Sequence, residues 1–121
     1  MNLDDENMIR QGFEEFIKLL QLLASPAEKQ MRPETALSTP AEDMESEFEA
    51  IYTVMMPRFK RIGLVNREQE KLLKDLFDFL EGRMDDYEEE FFAYEAPALH
   101  PGWEIVRQKS KAALLALSRS L

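Results

Sequence analysis

Few residues in this chain have the type and spacing to make or break bonds. His100 is the only histidine. As a general base or metal ligand it would need a nucleophile or carboxylates held at hydrogen-bond distance. Its neighbours, Ala98-Leu99 and Pro101-Gly102, supply neither a serine nor a carboxylate for a relay, so it reads as a turn or capping residue. There is no Glu-x-x-His pair of the kind that projects into di-iron bundles, and no calcium loop with spaced Asp or Asn and a central glycine. Four scattered glycines leave no phosphate-cradling loop. The lack of cysteine removes disulfides, Cys-ligated zinc and thiol chemistry. The sequence therefore predicts no catalytic, metal or cofactor site, and a function other than catalysis.

What remains is charged and aromatic surface. Asp and Glu number 24 against 15 Lys and Arg, for a net charge of −9. That argues against direct nucleic-acid binding, which needs a basic stripe, and suits a basic protein partner that an acidic surface would attract and orient. The charge is concentrated. Residues 85–95 read D-D-Y-E-E-E-F-F-A-Y-E, six carboxylates and four aromatics without a base. A second run, Glu42, Asp43, Glu45, Glu47 and Glu49, surrounds Phe48.

On a helix of about 100° per residue, Met84, Tyr87, Phe91 and Tyr94 fall on one face, the expected core stripe with tyrosine hydroxyls at its edge. Phe92 would project about 120° away, near Asp85, Glu88 and Glu89, in the layout of an apolar anchor with a charged rim. The alternative is that residues 25–40 cover it. The candidate partner-binding residues are thus Asp85, Asp86, Glu88, Glu89 and Phe92, supported by Glu45 and Glu49.

The elements that must position them are helical. From Asp4 to Ala24, Ile9, Phe13, Phe16, Leu20 and Leu23 alternate steps of four and three, widened by Ile17 and Leu19. Acidic Asp4, Asp5 and Glu6 suit the positive end of the helix dipole. Residues 25–40 carry three prolines and no period, and read as a long loop pinned by Met31 and Leu37. Thr39-Pro40-Ala41-Glu42 is a capping box with proline at the first helical position. The stripe Met44, Phe48, Ile51, Met55, Phe59 and Ile62 survives Pro57, so one kinked helix is predicted, with a break at Pro57 as the alternative.

Gly63-Leu64 marks a stop, and Asn66 through Gln69 marks a new start. Gly82 can end the next helix or only weaken it, and the helix is predicted to run on to about Glu95, with a bend near Gly82 as an option. After a proline-bounded turn at Ala96 to Pro101, a last helix turns Trp103, Val106, Ala113, Leu114 and Leu117 inward. Arg107, Lys109, Lys111 and Arg119 are placed towards its C-terminal end, where the dipole favours cations. Arg58, Lys60, Arg61 and Arg67 flank the second turn, read either as a salt-bridge surface for self-association or as ordinary solubilising and internally paired charge.

The expectation is an all-α, single-domain antiparallel bundle of four main helices over residues 1–121. With no apolar run near the roughly 20 residues a membrane helix needs and no basic-then-apolar leader, a soluble cytoplasmic protein is expected.

An acidic, cysteine-free helical chain of this length resembles the helical immunity proteins of bacterial toxins. The residues concerned are Leu76-Phe77-Asp78-Phe79-Leu80, then Asp85-Asp86-Tyr87, then the closing helix from Trp103. The likeness is one of style and covers the second half of the chain. It implies a protein that binds a toxin domain, often a basic nuclease, and covers its active surface. The physical logic stands beside it: carboxylates can occupy a groove built for phosphates, and a few buried aromatics slow dissociation. The alternative expectation is a self-associating helical adaptor or regulator.

Overall fold

Four long helices form where the apolar spacing predicts them, in a computed structural model that describes residues 5–31, 39–86 and 88–118. They are α1 (Glu6–Leu23), α3 (Pro40–Arg61), α4 (Arg67–Asp85) and α6 (Pro101–Ser118), joined by two single-turn helices, α2 (Ala27–Gln30) and α5 (Ala96–Leu99). The Asp5 carboxylate caps α1, accepting from the N–H groups of Asn7 and Met8. Thr39 Oγ1 accepts from the Glu42 N–H at 3.3 Å with Pro40 in first position, the Thr39 half of the predicted capping box, and α3 runs past Pro57 as one helix. Asp4, Leu37, Tyr87 and Arg119, each given a part in the sequence reading, lie outside the described residues. The expected loop at 25–40 contains α2, whose buried Gln30 donates to the carbonyls of Leu22 and Leu23 and so closes the end of α1.

The turn between α3 and α4 is built as its residues require. Gly63 takes φ +82°, the Leu64 N–H reaches the Phe59 carbonyl at 2.9 Å, and the Gly63 N–H reaches Lys60 at 3.1 Å. That pair of bonds is a Schellman stop, which satisfies carbonyls the helix leaves open. Asn66 and Gln69 then exchange side-chain to backbone bonds at 2.9 and 2.7 Å, a complete capping box.

The bundle closes as a ring in which α1 packs on α3 and α6, and α4 on α6 and α3. Pairs along three of these contacts step in opposite directions, which fixes the fourth: Phe13 meets Phe59 while Phe16 meets Phe48, Tyr52 stacks on Phe77 while Lys60 bonds Glu70, and Gln69 bonds the Ala116 carbonyl while Lys109 bonds Asp75. Neighbouring helices are therefore antiparallel. Phe13, Phe16, Phe59, Phe48, Tyr52 and Phe77 form one chain of ring contacts through the core. The predicted stripe of α3 is buried at Met44, Phe48 and Phe59 and half-buried at Ile51, Met55 and Ile62, and Met56, outside the stripe, is buried as well. Met55 instead lies across Gly12, where a Cβ would come within 3.0 Å of its methyl group. Among the described residues no helix is long and apolar enough to cross a membrane.

The predicted extent of α4 fails. The helix expected to reach Glu95 ends at Asp85, and the chain from 88 to 95 is a series of turns. A helix through Glu95 would spend the Phe91 carbonyl on the Glu95 N–H. Here that carbonyl takes the buried Trp103 Nε1–H at 2.8 Å, and the Phe92 carbonyl takes the Thr39 hydroxyl at 3.1 Å. Two adjacent phenylalanines are also about 100° apart on a helix, whereas the turn buries both. Asp85 and Asp86, at the negative end of the dipole, do nothing to prolong α4.

The final helix differs in its charge. Its last turn carries no base, and Arg107 and Lys109 lie mid-helix, where they make internal bonds rather than serve the dipole.

Candidate functional site

The antiparallel ring brings four termini to one end of the bundle: the ends of α1 and α4 and the starts of α3 and α6. The two acidic runs meet there. Thr39, the cap of α3, ties directly to the Phe92 carbonyl of the turn that follows α4. Asp85, Asp86, Glu89, Glu90 and Glu95 are exposed on this turn, and Asp43 and Glu47 are exposed on α3. Glu88 is half-buried, bonded to Arg83 at 3.1 Å and 3.9 Å from His100 Nε2. Glu49 is half-buried.

Two candidate contact residues are not on the surface. Phe92 is 2% exposed and meets Phe91 edge-on, with ring centroids 4.9 Å apart. The outward projection expected of it assumed a helix that the chain does not form. Glu45 is 3% exposed. It follows Ala41 by four residues and precedes Phe48 by three, so it shares their inward face, and that spacing was legible.

There Glu45 shares a hydrogen bond with the Glu81 carboxyl of α4. Burial first, then Glu81 through its hydrogen bond and its charge, then the charge of Glu49, push the Glu45 pKa up to about 7; the Ser46 hydroxyl opposes them. Burial and a second carboxyl at hydrogen-bond distance both favour the protonated form of Glu45.

Beneath the acidic turn is a second aromatic group. Phe91 stacks on Trp103 at 4.8 Å and 16°, and meets Phe79, Phe92 and His100 edge-on. Gly102 is required beside it, because a Cβ there would stand 3.0 Å from the Phe91 ring and 2.9 Å from His100 Nδ1. Arg107 ties the outer layer down: Nη1 donates to the Gln30 side chain at 2.8 Å and to the Pro97 carbonyl at 2.9 Å, and Nε donates to Glu104. Hydrogen bonds to Gln108 and Arg107 hold the Glu104 carboxyl below its usual pKa. Sequence reading missed Gln30 and Arg107 as a pair, since their partnership crosses 77 residues.

His100 caps α6, as its position suggested. Its Nδ1 accepts from the Gly102 N–H at 2.9 Å, and Nε2 of the neutral ring therefore carries the proton. An open groove of about 590 Å³ runs alongside, lined by His100 with Glu90 and Glu95, and by Ala93, Tyr94, Ala96, Leu99 and Pro101. It does gather the histidine with carboxylates. It offers no serine or threonine nucleophile, and the imidazole nitrogen that could accept a proton is already engaged. Among the described residues no three His, Asp or Glu side chains are placed to hold a metal ion.

In class, then, the chain is a single-domain all-α bundle of four long helices and two single-turn ones among the described residues. Comparison with protein families, with characterised proteins and with solved structures finds no match.

Proposed function

We propose that this chain is a binding protein that engages a basic protein partner through the acidic end of its bundle, and neutralises that partner in the manner of an immunity protein covering a toxin's active surface. The carrying observation is the Thr39–Phe92 tie, which joins the two acidic runs into one end built on a rigid aromatic base. Exposed carboxylates of one sign speed encounter with a cationic groove, and a preformed base limits the ordering cost of binding. The contact set is Asp85, Asp86 and Glu89, now with Glu90 and Glu95 and with Glu49 at the margin. Phe92 and Glu45 support it from beneath. No catalytic residue is needed for inhibition by coverage.

Titration calorimetry against the basic protein that co-purifies with the chain tests this. A 1:1 complex is expected, weakened at least tenfold between low and moderate salt and again by Asp86→Lys. Affinity indifferent to both salt and Asp86→Lys would sink the reading.

The adaptor reading has one observation of its own. Leu115 is well exposed beside an open groove on α1 and α6 lined by Ile17, Leu114 and Leu117. A molar mass that rises with concentration in light scattering, and falls back in Leu115→Glu, would favour it. A constant monomer mass would remove it.

A further inference from the structure

The groove beside His100 differs from the rest of the acidic end in having apolar walls. Tyr94 is 50% exposed and Leu99 73% exposed, and both face the same cleft with Ala93, Ala96 and Pro101. Large apolar side chains left in water are unremarkable singly, but a cluster in one concavity marks a binding surface. The carboxylates of Glu90 and Glu95 line the same cleft, and neither is bonded to a cation among the described residues. Two bases of this end are engaged elsewhere: Arg83 with Glu88, and Arg107 with Glu104, Gln30 and Pro97.

The walls are also fixed in place. The Leu99 N–H bonds the Glu95 carbonyl at 3.1 Å, the His100 N–H bonds Ala96 at 2.8 Å, and Arg107 grips the Pro97 carbonyl from behind. The cleft therefore exists before anything binds, and filling it orders little backbone.

We propose that this groove receives an arginine of a basic partner protein together with the apolar residue beside it in the partner's chain. The two carboxylates meet the guanidinium, the Tyr94 ring supplies a face for it to stack on, and Leu99 covers the apolar neighbour. Arginine suits the site better than lysine because its planar fork can address two carboxylates while lying on an aromatic ring. A cleft of about 590 Å³ is larger than one side chain needs, which is why a second residue belongs in it. This rests on the proposed function and names the chemistry of the contact.

The probe is acetyl-Leu-Arg-amide, titrated into the full chain and followed by amide NMR, with acetyl-Leu-citrulline-amide as the uncharged isostere. Saturable shifts are expected at Tyr94, Glu95, Leu99 and His100. Binding should weaken about tenfold with citrulline or in Glu90→Gln/Glu95→Gln, since each exposed carboxylate or ring contact is worth a factor of about two to five. Tyr94→Ala should weaken it about threefold. All of these positions are exposed, and unchanged melting temperatures confirm that the variants fold. Shifts absent from the groove, or equal for arginine and citrulline, overturn the proposal.

The basic partner itself separates the two claims. If Asp86→Lys weakens the complex but Glu90→Gln/Glu95→Gln does not, the groove assignment falls and the acidic-end reading stands. If neither weakens it, both fall.

Discussion

The two ends of this bundle solve the same problem, reversing the chain between helices, by opposite means. The α3–α4 end does it with local chemistry: Gly63 at positive φ stops one helix, and Asn66 with Gln69 starts the next within a few residues. The acidic end does it with tertiary chemistry. Beside its local turn bonds, the Phe91 and Phe92 carbonyls are satisfied by Trp103 and Thr39, 12 and 53 residues away in the chain, and its apolar residues are buried without helical periodicity. A locally specified turn tolerates change elsewhere in the molecule. A turn specified from a distance depends on single remote side chains, and those set the shape of the surface it carries.

The largest consequence falls on Trp103. Trp103→Ala removes a fully buried ring and the donor to the Phe91 carbonyl, and is expected to cost about 3–5 kcal/mol in urea unfolding. Trp103→Phe keeps most of the stacking but orphans that carbonyl, for about 1–3 kcal/mol. Hydrogen exchange locates the damage. With Trp103→Phe, amides of residues 88–95 should lose protection while those of the α3–α4 turn keep theirs. Equal loss at both ends would show that the acidic turn holds its own shape.

Next in size is the raised pKa of Glu45. Its folded pKa of about 7 lies above the ordinary value of 4.5, so between these the folded state binds more protons than the unfolded state. Stability must then fall as pH rises through that window, by up to about 3 kcal/mol between pH 4.5 and pH 8 from this site alone. Glu45→Gln keeps a hydrogen-bond donor towards Glu81 and removes the titration. The variant should match the native protein near pH 5 and exceed it in stability at pH 8. Parallel stability curves for the two proteins across that range would mean that Glu45 titrates alike in the folded and unfolded states.

How much of this was legible follows from the same contrast. The four long helices, the caps at Thr39 and Asn66 and the stop at Gly63 could be read because each signal lies within four residues of what it acts on. The acidic end could not be read in that way. Met84, Phe91 and Tyr94 keep approximately helical spacing, yet Tyr94 is exposed and the adjacent Phe92 is buried, because partners on α3 and α6 override the period. The acidic composition of the site was plain in the sequence. Its relief was not: the groove of Tyr94 and Leu99 exists only once α5 and the turn are folded against α6. Glu45 sits between these cases, readable from its place between Ala41 and Phe48 and obscured by the carboxylates around it.

The smallest test sets one glycine from each side of the contrast against the other. A Cβ at Gly63 or at Gly82 would meet nothing within 4 Å, so an alanine at either position changes backbone energetics and not packing. Gly63 holds φ +82°, where an L-residue costs roughly 1–2 kcal/mol. Part of this is offset by the smaller entropy of the unfolded alanine chain, about 0.4–1 kcal/mol. Gly63→Ala should therefore lose up to about 1.6 kcal/mol in denaturant midpoint measurements. Gly82 lies inside α4 with no such demand, and Gly82→Ala should gain about 0.5–1 kcal/mol. If both substitutions stabilise, the α3–α4 turn does not depend on its positive-φ glycine. If Gly82→Ala destabilises, the last turn of α4 adapts to the acidic segment that follows it, and the helix and the turn act as one unit.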